Sequence, residues 1–178
     1  MGKTRRRMLI VDGYNVLRSG YRYRHIVAPD YTDDTFNTAR EMLLKDVISF
    51  AGRTYQAYIV YDGGGNEFST GEPQVVSGVK VVFSPAGSSA DKVIEKLAHD
   101  ASARGIETLV ITSDATIQDT VFGGGVDRMS ANGFSHEMEM LAHEVELDEK
   151  PAVSEKRTVA ERLDPETVRK LKALRDGR

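Results

Sequence analysis

Short apolar runs alternate along the chain with longer stretches of helical periodicity. Residues 8–11 form a continuous apolar run closed by Asp12-Gly13, the pattern of a buried strand that ends in a tight turn. Over residues 32–53, Phe36, Ala39, Leu43, Val47 and Phe50 recur at three- and four-residue steps behind Thr32 and Asp33, which predicts a capped amphipathic helix. Residues 57–61 read as a second buried strand, and again the run stops at an aspartate, Asp62. Residues 62–78, rich in Gly, Asn, Ser and Glu, are predicted as a loop, and residues 79–83 as a third strand. Val93, Ile94, Leu97, Ala98 and Ala101 share one face of a second helix over 89–104, with Ser88 or Ser89 as its cap and Gly105 as its stop. A fourth strand, 108–112, runs into Ser113-Asp114. A short helical stretch at 115–122, a turn at Gly123-Gly124-Gly125, a short strand at 126–130 and a helix from 134 to 147 follow. Strands alternating with helices imply a parallel sheet covered on both faces.

The pattern divides the chain into a basic extension over residues 1–7, an α/β domain over 8–149 and a charged helical tail over 150–178. In the tail, Asp164-Pro165-Glu166 starts a helix whose Val168, Leu171 and Leu174 make a narrow apolar stripe. Packing against the domain, binding a partner or lying on RNA are the alternatives for such a helix.

Composition narrows the chemistry. The 178 residues contain no cysteine, which excludes disulfides, thiolate zinc sites, iron–sulfur clusters and a cysteine nucleophile. The apolar runs fall far short of the roughly 20 residues a membrane span needs, and the basic start meets Asp12 too early for a signal peptide, so a cytoplasmic location is expected. Net charge is −3, yet Lys3, Arg5, Arg6, Arg7, Arg18, Arg22 and Arg24 crowd the first 24 residues against Asp12 alone. The first of these make either a phosphate-contacting arm or a solvated terminal segment; Arg18, Arg22 and Arg24 follow the turn after the first strand and are candidates to hold a nucleic-acid backbone. Neither Gly triplet continues into Gly-Lys-Ser/Thr, and no G-x-G-x-x-G follows the first strand, which disfavours nucleotide cofactors. His136 and His143 lack the H-E-x-x-H spacing and read as a solvated face.

Asp12, Asp62 and Asp114 each stand at the end of a predicted buried strand, and in a parallel sheet those ends lie along one edge, where open α/β sheets bind ligands. Asp91 falls in the first turn of the second helix, with Glu95 one turn on, so both should reach that edge. Any one aspartate there could be a turn former or a helix cap. Several on one rim repel each other unless cations neutralise them, and oxygen ligands alone point to Mg²⁺ or Mn²⁺.

The string Leu9-Ile10-Val11-Asp12-Gly13-Tyr14-Asn15-Val16 resembles the opening of NYN-domain ribonucleases, a branch of the PIN-like superfamily. Ser89-Ala90-Asp91 with Val93-Ile94-Glu95-Lys96-Leu97, then Val110-Ile111-Thr112-Ser113-Asp114, Gln118, and Phe122-Gly123 with Gly125 and Arg128, resemble its YacP-like subgroup, in the same order from Met8 to Ser130. The resemblance implies a PIN-like three-layer α/β/α sandwich with a central mainly parallel sheet, and a metal-dependent endoribonuclease. By motif matching, Asp12, Asp91 and Asp114 would be the catalytic acids holding Mg²⁺ or Mn²⁺, with Asp62 and Glu95 as further metal-site acids and Asn15 as a support. Asn15, Ser113, Gln118 and Arg128, together with Arg18, Arg22 and Arg24, would contact RNA. An mRNA substrate on the ribosome is the context the resemblance implies. The chain departs from the pattern at Lys92, where relatives often carry another acid, at Gly63-Gly64-Gly65 after Asp62, and at Asn132-Gly133-Phe134.

Two other functions compete. A non-catalytic RNA- or ribosome-binding module would keep the fold and cut nothing. A phosphatase of the haloacid-dehalogenase type also begins with an aspartate after its first strand, but needs Asp-x-Asp, and here Tyr14 holds the second position.

Overall fold

The computed structural model describes residues 5–28, 31–64, 69–117 and 124–149, together with 166, 169 and 170. The chain divides into two units, Met1–Met140 and Leu141–Arg178. In the second, residues 141–149 are helical and the Lys170 ammonium meets the Glu166 carboxylate at 3.2 Å, one helical turn apart.

The first unit is built on a six-stranded sheet of β1 (Arg7–Asp12), β2 (Tyr55–Tyr61), β3 (Gln74–Val76), β4 (Val79–Phe83), β5 (Thr108–Ile111) and β6 (Val126–Met129), in the order β3-β4-β2-β1-β5-β6. All neighbours are parallel except β3, which pairs antiparallel with β4. β1 lies between β2 and β5, which is why its side chains from Met8 to Val11 are uninterruptedly apolar and fully buried. Among the described residues it is accompanied by the helices α1 (Gly13–Ser19), α2 (Tyr21–Val27), α3 (Asp33–Ala51), α4 (Ala90–Ala103) and α5 (Ala131–Glu149).

Met8 and Ile10 face α4 and form one core with Val60, Ile94, Ala98 and Val110. Strand alternation turns Leu9 and Val11 to the opposite face, where α1 and α3 lie. The start of α5 packs against the α2–α3 layer: Phe134 meets the Phe50 ring edge-on at 5.4 Å, and the Tyr21 and Arg22 amides donate to Asn132 and Ser135. Helices on both faces of a mainly parallel sheet are the expected three-layer sandwich.

The long helices begin at the residues the pattern indicates. Thr32 accepts from the Thr35 amide at the head of α3, and Ser89 accepts from the Lys92 amide at the head of α4. α5 starts at Ala131, earlier than residue 134, because the Ser130 hydroxyl caps the Gly133 amide. Two short helices, α1 and α2, occupy a region where periodicity predicted only a turn. Val16, Tyr23 and Val27 of this region are fully buried, and Gly20 stands between the helices because a Cβ there would sit 2.7 Å from the Val16 carbonyl oxygen. Residues 62–78 are not all loop: β3 pairs with β4 through a two-residue turn, Ser77-Gly78, whose positive φ angles of 48° and 85° suit a hairpin. β3 escapes a sequence pattern because it is an exposed edge of three residues. Of the helical stretch expected at 115–122, residues 115–117 are helical and 118–122 lie outside the described residues; of the tail, only residues 166, 169 and 170 are described. Among the described residues no helix is long and apolar enough to cross a membrane.

Candidate active site

Asp12 ends β1 and is 6% exposed. Two strand ends hold it in place: the Thr112 hydroxyl, just beyond β5, donates to its carboxylate at 2.9 Å. The same hydroxyl accepts from the Asp114 amide at 3.1 Å, and the Asp114 carboxylate caps the Thr116 amide at 2.9 Å. The Asp12 carboxyl is pushed up from 3.8 to about 6, chiefly by burial; the Thr112 bond opposes this and the charges of Asp91 and Asp114 add to it. Asp91, in the first turn of α4, is raised in the same direction, first by burial and then by Asp114, Glu95 and Asp62. Five carboxylates line one cleft of about 650 Å³, those of Asp12, Asp62, Asp91 and Asp114 at the sheet edge and that of Asp33 at the head of α3. Glu95 does not line it, although its charge reaches Asp91.

Thr112→Val tests this electrostatic arrangement. With its donor gone, the Asp12 carboxyl is expected to titrate above 6, as followed by the carboxyl carbon shift in NMR; a value at or below that of the parent would show that the Thr112 hydroxyl does not favour the charged carboxylate.

The other expected residues divide between the cleft and the scaffold. Asn15, on α1, lines the cleft and its side-chain oxygen accepts from the Ser113 amide at 2.8 Å, tying the β5 end to α1. The Ser113 hydroxyl accepts from the Ala131 amide at 2.9 Å, so it anchors the start of α5. Asp62 accepts from the Gly64 amide at 2.8 Å, and the Ser84 hydroxyl receives the Gly63 amide beside it, which explains Gly63: a Cβ there would overlap the Ser84 carbonyl. Arg18 lines the cleft. Arg22 does not. Its guanidinium grips the buried Asp46 carboxylate with Nε at 2.8 Å and Nη2 at 3.2 Å, so it serves the α2–α3 packing. Arg24 is exposed on α2 and Arg128 on β6, neither lining the cleft, and Gln118 lies outside the described residues.

Periodicity did not reveal the remaining wall of the cleft, formed by Tyr14, Tyr31, Asp33, Phe36 and Arg40. Gly13 lets this wall come close, since a methyl group there would overlap the Tyr61 ring, against which Tyr14 packs at 4.8 Å. The available signal was Phe36 near the start of α3, which periodicity assigns to core, and Tyr14 just after the turn that closes the first strand.

The donor chemistry of the cleft, oxygen throughout with one buried carboxyl strained toward its neutral form, fits a hard divalent cation. Among the described residues no three such side chains stand close enough to enclose an ion.

The chain matches the profile of the YacP-like NYN domain over residues 9–176. It is 28% identical over 170 residues, 96% of this chain and 97% of the relative, to the "Uncharacterized protein YacP" of Bacillus subtilis (strain 168). The crystal structure of Rae1 (YacP) from Bacillus subtilis superposes with a TM-score of 0.63 at 28% identity, covering 96% of this chain and 95% of that one. A tryptophan-to-leucine mutant of the same Bacillus protein gives 0.61 at 24% identity, over 94% of this chain and 99% of that one.

Proposed function

This chain belongs to the YacP-like NYN domain family, and from that premise we propose that it is a metal-dependent endoribonuclease that hydrolyses RNA phosphodiester bonds at the carboxylate end of the cleft, with mRNA on the ribosome as a substrate context. The observation that carries the proposal is the meeting of Asp12, Asp91 and Asp114 in one cleft, with a buried Asp12 whose proton is held up to about 6. Such a group is costly to the fold and is repaid when a cation or a substrate counter-charge enters.

Asp12, Asp91 and Asp114 would hold Mg²⁺ or Mn²⁺, with Asp62 at the rim and Glu95 behind Asp91. When bound, the ion supplies a water of lowered pKa and offsets charge on the phosphate. Thr112 keeps the Asp12 carboxylate oriented, and Asn15 and Ser113 lock the β5 end so that Asp114 stays opposite it. Arg18 and Arg40, on the same cleft, offset the charge of the RNA backbone.

The test is incubation of a labelled single-stranded RNA with the protein in Mn²⁺, in Mg²⁺ and in EDTA, beside Asp114→Asn. Internal cuts that need metal and Asp114 are expected. A second reading, the non-catalytic RNA- or ribosome-binding module, is favoured by the absence of a closed three-carboxylate cluster among the described residues and by Lys92 beside Asp91. RNA bound but left whole, with and without translating ribosomes, would establish it.

A further inference from the structure

The cleft has a second end of different chemistry. Beyond Asp12, Asp62, Asp91 and Asp114 it is walled by Tyr14 and Arg18 of α1, by Tyr31 just before α3, and by Asp33, Phe36 and Arg40 of α3. Phe36 meets the Tyr14 ring edge-on at 5.6 Å, and Tyr31 is tilted against Phe36 at 6.3 Å. The Arg18 guanidinium lies 5.6 Å from the centre of both the Tyr14 and the Phe36 ring, and Arg40 donates to the Tyr14 hydroxyl at 3.0 Å. Tyr14 is thus held from several sides, a fixed wall rather than a mobile surface.

Tyr31 differs from the rest. Its ring is 61% exposed although it lines the cleft, and its φ of 44° lies in the left-handed region that a tyrosine rarely adopts. Its amide donates to the Val27 carbonyl at 2.9 Å, which pins the strained conformation. A glycine would take that conformation freely, so the fold bears a cost for a ring that it leaves in water.

We propose that Tyr31 and Phe36, backed by Tyr14 and Arg18, form a stacking subsite for one unpaired nucleobase of the strand whose phosphate lies at the carboxylates. The inference rests on the endoribonuclease reading and adds to it that the cleft takes single-stranded RNA and refuses duplex. Flat aromatic rings and a guanidinium engage the face of any base, so they tolerate sequence; in a duplex both faces of each base are already covered by neighbours. The two ends then divide the work: the carboxylates, with the cation they would hold, take the phosphate, and the rings decide that the strand is unpaired.

The test measures binding in Mg²⁺ of a short single strand carrying a fluorescent adenine analogue to the Asp114→Asn protein, with and without Tyr31→Gly, and with Tyr31→Phe as the conservative variant. Fluorescence is expected to be quenched on binding to the protein that keeps Tyr31, Tyr31→Phe to retain that affinity, and Tyr31→Gly to bind roughly tenfold or more weakly. The melting temperature of Tyr31→Gly should equal or exceed that of the parent, which a merely structural tyrosine would not give. A strand of the same length without bases is expected to bind both proteins equally. Equal affinity of Tyr31→Gly and the parent for the base-bearing strand would overturn the subsite while leaving the RNA reading intact. A strand bound by neither and cut by no form of the protein would overturn the RNA reading and the subsite with it.

Discussion

Asp12→Asn is expected to yield a protein that melts higher than the parent at neutral pH and cuts no RNA. The Asp12 carboxyl holds its proton to about 6 in the folded chain against 3.8 as the ordinary value, because burial and the charges of Asp91 and Asp114 outweigh the Thr112 hydrogen bond. Between those two values the native state binds more protons than the unfolded chain, so stability falls as pH rises. The contribution is fully present below 3.8 and is lost as pH passes about 6. In full it amounts to at most about 3 kcal/mol, taking 1.36 kcal/mol for each tenfold change in proton affinity. The amide cannot ionise, so the gap between variant and parent should be small in acid, open across that interval and stay constant above it. For a chain of this length the gain is about 5–10 °C at neutral pH. Thermal melts of both proteins at about pH 4 and about pH 7.5 measure it. Saturating Mg²⁺ should raise the melting temperature of the parent and leave that of the variant unmoved, a readout that needs no substrate. A variant that melts lower than the parent at neutral pH would refute the electrostatic account of this site.

Asp46→Ala should have the largest effect of opposite sign. Asp46 on α3 is 7% exposed and accepts from Arg22 and, at 2.5 Å, from the hydroxyl of the fully buried Tyr23. Truncation leaves the Tyr23 hydroxyl without an acceptor and the Arg22 guanidinium without its counter-ion, an arrangement that costs about 3–5 kcal/mol. A loss of about 10 °C in melting temperature is expected. Arg22→Ala should destabilise by the same route and leave the salt dependence of RNA affinity as it is, whereas Arg18→Ala should lower that slope by about one. A loss below about 1 kcal/mol for Asp46→Ala would mean that water replaces the carboxylate at little cost.

Arg22 and Arg18 stand close together in one basic stretch, and their charges alone do not tell them apart. The difference lies in what α3 presents to each: a buried carboxylate to Arg22, the Phe36 ring to Arg18. α1 and α2 eluded the pattern because each has only seven residues, too short for a repeating stripe, and their buried positions are interrupted by Gly20. The edge strand β3 eluded it for a related reason: its residues are exposed, so no alternation marks them. Where an element is long or wholly buried, as in β1, α3 and α4, its neighbours leave an imprint on every turn of the chain.

The sequence by itself determined the order of the buried strands and the long helices, the caps at Thr32 and Ser89, and the placing of acids at the ends of buried strands. These are local properties, set by apolar periodicity and by what a backbone needs where an element starts or stops. Only the tertiary structure decided which strand ends meet, since the order β3-β4-β2-β1-β5-β6 puts β5 beside β1 and so brings Thr112 and Asp114 to Asp12 across about a hundred residues of chain. It also decided that Arg22 serves the fold, and that Tyr31 and Phe36 join Tyr14 in one wall. Such pairings depend on which faces of distant helices meet, and side-chain spacing along a single helix carries no record of its partner.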